Sequence, residues 1–278
     1  MPLTLAELEQ KSLDYRKTVL SIIKRAKAGH TGGSLSCVDI LNVLYNHVMN
    51  VSPANFSDPN RDRYIQSKGH SVEALYTVLA DKGFYPVEAL ATLNQYKSHF
   101  IGHPTRKVLG VEQNTGALGH GLPIAVGVAL AAKKDGRTYR VFTLLGDGEL
   151  GEGSNWEAST SAAHYTLDNL TVIVDYNKLQ ITGRVEDVTG IRDLAQKFTA
   201  FGYAVREVDG NSIPALVQVF DALPFEPGKP NLILAHTVKG KGISFIENQV
   251  HWHHHVPSDA EFTAALAELE QAKLALQK

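Results

Sequence analysis

Cysteine is almost missing from this chain: Cys37 is the only one in 278 residues. A single thiol excludes an internal disulfide and a cysteine metal cluster, and it suits a reducing cytoplasm. A surplus of positive charge is missing too. The formal net charge is -2 at pH 7, so no basic surface argues for nucleic acid. No apolar run is long enough to span a membrane. The opening residues Met1 to Glu9 lack the basic and apolar regions of a signal peptide. The expectation is a cytoplasmic protein that engages neither nucleic acid nor membrane. What remains is globular in composition, 44% hydrophobic and 20% charged, long enough for one large α/β domain or two small ones. Histidine is the residue in unusual supply. There are twelve, and several sit beside glycine, where a turn holds a side chain for chemistry more often than a helix interior does.

Taken in order, the chain alternates helices and strands. Thr4 with Glu7 three residues on forms a capping box for a helix that runs to Gly29. Gly29 to Ser36 reads as a glycine-rich loop carrying His30, with Ser36 capping a second helix through Tyr45. A short strand at 63–67 leads into Lys68-Gly69-His70 and another helix, and Gly102-His103-Pro104 is a third histidine turn. Taken alone, such a histidine reads more readily as a plain loop residue; three such turns weigh against that reading. A second glycine cluster, Thr115 to Pro123, opens a helix of small residues. Strands are expected at 139–145, 170–174, 203–208 and 231–238, and helices at 152–164, 191–201, 213–223 and from Ser258, the last amphipathic. This alternation predicts an α/β fold, a mainly parallel sheet flanked by helices, without fixing the strand order. The expected organisation is one domain over residues 1–278 with a C-terminal arm or helix at 251–278.

The stretch from Leu144 to Asn177 organises the rest. Gly146-Asp147-Gly148 ends one strand and Asp175-Tyr176-Asn177 ends the next. In an open parallel sheet those ends share a rim, where ligands bind. Asp147 and Asn177 offer oxygens to a hard cation. Gly148 and the free N–H groups of the helix beginning near Glu152 suit a phosphate. Together they suit a magnesium diphosphate.

Gly146-Asp147-Gly148 with Asn177 thirty residues after Asp147 resembles the thiamine diphosphate fingerprint. The turns at His30, His70 and His103, the 115–121 cluster, Glu152-Gly153 before Trp156, and Lys239-Gly240-Lys241-Gly242 before Trp252-His253 follow transketolase order over nearly the whole chain. The resemblance implies the thiamine-diphosphate-binding fold of the N-terminal, diphosphate-binding part of that family. It implies one half of a split, two-chain transketolase, transferring a two-carbon ketol (glycolaldehyde) unit from a ketose donor to an aldose acceptor through a thiamine diphosphate carbanion. The donor is expected to be phosphorylated, with sulfonated or branched ketoses as alternatives. The cofactors implied are thiamine diphosphate and Mg2+, or Ca2+ or Mn2+ in its place. The family's pyrimidine-binding domain carries the glutamate that protonates the aminopyrimidine, and no residue here matches it. The resemblance therefore implies a second subunit, with pyrimidine-binding and C-terminal domains, in an α2β2 assembly, and a chain inactive alone.

Position by position, the resemblance assigns metal binding to the side chains of Asp147 and Asn177 and the carbonyl of Leu179. It assigns cofactor contacts to His70, Gly116, Leu118, Gly148, Glu152, Asn177, Ile181 and His253, Glu152 as an acid linking two active sites. His30, His103 and His253, with His70 beside them, are assigned the catalytic work of bonding ketose hydroxyls and moving protons. Three positions depart from the common pattern: His254 stands for glycine, His120 for glutamine and Thr31 for proline. Competing readings are an α-type chain of a 2-oxo acid dehydrogenase, a non-catalytic nucleotide-binding relative, and, for the 251–255 run alone, a zinc site.

Overall fold

A computed structural model describes residues 3–276; Met1, Pro2, Gln277 and Lys278, the outermost ends of the expected domain, lie outside the described residues. Helix α1 (Leu5–Ala26) starts on the expected capping box. Glu7 N donates to Thr4 Oγ1 at 3.2 Å and Thr4 N donates to Glu7 Oε2 at 2.7 Å. The helix stops at Lys27, which adopts a left-handed φ of 54°.

The expected loop at 29–36 is instead a short helix, α2 (Thr31–Ser36). Glycine disfavours helix intrinsically, but here packing decides. A Cβ on Gly32 would stand 2.9 Å from the Trp252 carbonyl oxygen, so the glycine permits a close approach rather than a bend. Ser36 is not a cap. Its hydroxyl donates to Asp175 Oδ2 at 2.5 Å, and Cys37 takes the cap position of α3 (Val38–Val43), which runs on into a π-helical turn, Leu44–Val48.

Five strands form the main sheet: β1 (Arg63–Gln66), β2 (Val141–Gly146), β3 (Leu170–Tyr176), β6 (Ala204–Asp209) and β7 (Asn231–His236), in the order β1-β2-β3-β7-β6. All four pairings are parallel. A two-residue hairpin, β4 (Leu179–Gln180) with β5 (Gly183–Arg184), hangs from the end of β3. The strands are apolar because both faces are covered. Phe142, Leu144, Ile173 and Ile233 point to one core, Val141, Leu145, Val172 and Leu232 to the other, the two-residue alternation of a pleated strand.

Helices α1, α3, α4 (Val72–Asp81) and α9 (Ile213–Asp221) supply side chains to the first core. The second core takes α5 (Gly121–Lys134), α6 (Gly153–His164) and α8 (Leu194–Ala200). Helix α8 begins later than the sequence suggests, because Asp193 adopts a left-handed φ of 53°. A single turn, α7 (Val185–Val188), precedes it. The tail helix α10 (Asp259–Leu276) lies along α1, tied by Lys273 to Asp14 at 2.8 Å and Lys24 to Asp259 at 2.6 Å. It buries only Ala265 and Leu269, a narrower stripe than the amphipathic expectation, and leaves Leu274 and Leu276 exposed. Among the described residues no helix is long and apolar enough to cross a membrane.

Candidate functional site

Because the five strands are parallel, their carboxyl ends share one edge, and a cavity opens there. It measures ≈ 320 Å³ and is lined from the ends of four strands. Lys68 and His70 follow β1, Gly146 to Glu149 follow β2, Asn177 to Ile181 follow β3, and Lys239 follows β7. His30 and Gly33 enter at α2, Gly116 and Leu118 from the glycine cluster, and His253 from the C-terminal turn.

The register of β2 and β3 places Gly146 opposite Asp175, so Asp147 and Asn177 leave neighbouring strands at nearly the same level. The Asp147 carboxylate is held by its own turn and by its neighbour's. Gly148 N donates to Oδ1 at 2.8 Å and Lys178 N donates to Oδ2 at 2.5 Å. Burial first, then the nearby Asp175 charge, pushes Asp147 up to about 7. Asn177 Oδ1 accepts from Leu179 N at 3.1 Å. The Leu179 carbonyl faces Lys239, whose Nζ donates to it at 3.2 Å. Gln180 Oε1 is buried without a hydrogen-bond partner and would lie 3.2 Å from a Cβ placed on Gly148. Two amide oxygens, a carboxylate and a carbonyl on one wall, one of them unsatisfied, are the donor set of a hard divalent ion. The residues present thus fit a metal-bound diphosphate.

Beneath the site lies an ion pair that no sequence pattern announced. Lys68 and Asp175 are fully buried and in contact, and Ser36 and Thr237 donate their hydroxyls to the same carboxylate. Burial opposes charge on both, yet their mutual attraction prevails: Lys68 is raised and Asp175 lowered. Both stay charged, and each neutralises the other. Lys239 is the remaining cation of the cavity. Burial, then the Lys68 charge, brings it down to about 8, and its Nζ is 3.0 Å from His253 Nδ1.

The four histidines that the resemblance assigns to the site lie close together. Ring centroids of His70, His253 and His103 lie 5.2, 5.6 and 6.1 Å from that of His30. His70 and His253 stack at 5.4 Å. Burial, reinforced by His254 and His103, lowers His30 to about 4, and burial with Lys239 beside it lowers His253 to about 3. These imidazoles are neutral near pH 7, so each can accept at one nitrogen and donate at the other. Gly116 needs its lack of a side chain: φ is 133° and a Cβ would collide with the His103 ring.

Ten of the expected residues line the cavity: His30, His70, Gly116, Leu118, Asp147, Gly148, Asn177, Leu179, Ile181 and His253. His103 abuts them through Gly116, and Ile181, 67% exposed, stands at the mouth. Glu152 is not brought in; it sits exposed at the head of α6, its Cβ 2.5 Å from a Cβ placed on Gly119. The inward acid there is Glu149, which accepts from Gly119 N at 2.9 Å and Gly146 N at 3.1 Å. Glu149, Lys68, Lys239 and Gln180 line the cavity as well, though none is among the expected site residues. Their signal was position alone, each within three residues of a residue already singled out or inside a glycine loop. The 251–255 run does not gather on one point. His253 and His254 turn to His30, while His255 packs on Trp252 at 4.4 Å. Among the described residues no group of three His, Cys, Asp or Glu is placed to hold a metal.

Compared with known proteins, the family described as "Transketolase, thiamine diphosphate binding domain" matches residues 9–270. The chain is 44% identical over 271 residues to one subunit of the apulose-4-phosphate transketolase of Phocaeicola vulgatus, covering 98% of this chain and 96% of that one. It is 39% identical over 266 residues to the 6-deoxy-6-sulfo-D-fructose transketolase subunit SqwG of a Clostridium species, covering 95% and 97%. Among solved structures, transketolase from Leishmania mexicana superposes with a TM-score of 0.84 at 26% identity, over 100% of this chain and 46% of that one. The chain thus spans nearly all of the two relatives that are themselves subunits and just under half of the solved transketolase.

Proposed function

Because the chain belongs to the transketolase family, as its thiamine-diphosphate-binding part, we propose that it is the N-terminal subunit of a two-chain transketolase. Its reaction is transfer of a two-carbon ketol unit from a phosphorylated ketose to an aldose. The observation that carries this reading is the meeting of Asp147, Asn177 and the Leu179 carbonyl on one wall of a cavity whose other wall is neutral histidine. The first three would hold Mg2+, and through it the diphosphate, with Gly148 allowing its close approach. Lys239 is the free cation nearest to that charge. Bound thiamine diphosphate supplies the nucleophilic carbon that carries the ketol unit.

The chain's own residues do the rest. His30, His70, His103 and His253 bond the hydroxyls of the sugar, and a neutral imidazole among them takes or returns the hydroxyl proton as the aldehyde leaves or enters. The glutamate expected to face the aminopyrimidine is supplied by a second subunit with pyrimidine-binding and C-terminal domains, and the assembly is α2β2. Relatives named as subunits support a partner. The single buried thiol of Cys37 supports a cytoplasmic setting. The domain assignment 1–278, with the arm from residue 251, belongs to the same reading.

The test is reconstitution. The pure chain should show no ketol transfer from D-fructose 6-phosphate, apulose 4-phosphate or 6-deoxy-6-sulfo-D-fructose, and addition of its companion with thiamine diphosphate and Mg2+ should switch it on. Full activity of the chain alone would defeat the split-enzyme reading. Pyruvate decarboxylation in place of ketose cleavage by the mixed pair would defeat the reaction.

A further inference from the structure

His254 is the one exposed ring among the five imidazoles at the site. Its centroid lies 4.6 Å from that of His30, edge to face, closer than His70, His253 or His103. It therefore forms the outermost point of the histidine wall. Its placement depends on Thr31. That residue is fully buried, and its Oγ1 donates to the His255 carbonyl at 2.6 Å. At the next residue the Gly32 backbone lies close under the Trp252 carbonyl, and Trp252 is itself buried. So α2, which begins beside His30, also anchors the turn at Val250–His254. Both residues depart from the common pattern, and the departures meet in space. A proline at 31 has no hydroxyl for that bond, and a glycine at 254 presents nothing to a ligand.

We propose that His254, held against His30 by Thr31, is a specificity-determining residue that hydrogen-bonds a substrate hydroxyl beyond the two transferred carbons. This rests on the ketol-transfer reading above. The transferred carbons must reach the cofactor's nucleophilic carbon inside the cavity, so the rest of a polyol trails outward past His30 to its exposed neighbour. Thr31 is a positioning residue: it acts through the carbonyl of His255 and the turn before it.

The experiment uses the reconstituted pair and two donors. One is a long ketose phosphate, apulose 4-phosphate or D-fructose 6-phosphate, whichever the wild-type pair uses faster. The other is hydroxypyruvate, which has no hydroxyl beyond the transferred carbons. His254→Gly should lower the ratio of kcat/KM for the long donor over hydroxypyruvate about fivefold, the loss of one neutral hydrogen bond. Thr31→Val should move the ratio the same way and Thr31→Ser should restore it, while calorimetry finds thiamine diphosphate binding at the wild-type value in all three variants. A ratio unmoved by His254→Gly overturns the proposal. So does a Thr31→Ser pair that behaves like Thr31→Val, or a cofactor affinity that falls with the ratio, which marks general damage to the site. Absence of ketol transfer in the wild-type pair appears before any variant is made, and it counts against the reaction rather than against His254.

Discussion

Glu73 gives the sharpest quantitative test of the structure. It is fully buried on α4, where the Ser34 hydroxyl donates to Oε2 at 2.8 Å and the His30 backbone N–H donates to Oε1 at 3.3 Å. Two donors and no cation do not offset the loss of water, so burial pushes its pKa from 4.5 up to about 7. A carboxyl raised in the folded state binds protons more tightly folded than unfolded. Its contribution is fully present below pH 4.5 and is lost as pH rises through about 7. Each pKa unit corresponds to about 1.36 kcal/mol, so this window of roughly two and a half units amounts to on the order of 3 kcal/mol. Glu73→Gln removes the titration while keeping the shape and one acceptor. Urea unfolding of both proteins from pH 5 to pH 8.5 should show the variant gaining on the wild type by about that amount as pH rises. His30 and His253 titrate with the opposite sign, but they are present in both proteins and cancel in the difference. A difference that stays flat across the range would refute the reasoning. It would mean that Glu73 ionises at an ordinary pH and that the pocket beneath His30 is wetter than the geometry allows.

Four further outcomes follow from the same site. Lys68→Met strands the Asp175 charge in a dry interior and should cost about 3–5 kcal/mol in urea unfolding, whereas Lys68→Met combined with Asp175→Asn should cost less than the two single changes added. Asp147→Ala and Asn177→Ala should each abolish the Mg2+ dependence of thiamine diphosphate binding measured by calorimetry on the reconstituted pair, and retained dependence in either would displace the metal from this wall. Gly116→Ala forces a side chain to a φ of 133° against His103 and should destabilise by about 1–3 kcal/mol, read as a lower melting temperature together with a moved His103 resonance. His30 and His253, lowered to about 4 and 3, should keep the NMR shifts of neutral imidazole from pH 8 down to pH 5; an inflection near 6.5 in either would show that it is hydrated.

Much of this arrangement can be read from the residues in order. The capping box at Thr4, the buried strands, the Gly146-Asp147-Gly148 turn and the pairing of Asp147 with Asn177 depend on local chemistry that a short window carries. The parts that are not legible depend on what meets across the fold. Gly32 and Gly33 look like loop residues because glycine disfavours helix, and the approach of the Trp252 carbonyl, which lies across the fold, explains why the helix is bare at Gly32. The strand order is hidden because strands covered on both faces look alike. Asp175 is the one charged residue of its strand, and its partner Lys68 looks like an ordinary turn lysine until β1 and β3 flank β2. Glu152 and Glu149 are neighbours in the same turn, and which of them faces inward is set by backbone geometry that composition does not encode.

The strand order β1-β2-β3-β7-β6 has a consequence for birth on the ribosome. A nascent chain can assemble β1, β2 and β3 as they emerge, yet β3 gains its second neighbour only when β7 arrives after β6. Lys239 and His253 arrive later still. From the synthesis of Asn177 until β7 is made, the protein therefore carries Asp147 and Asn177 at the margin of an unfinished sheet, and the vitamin's pocket is among the last things the chain completes.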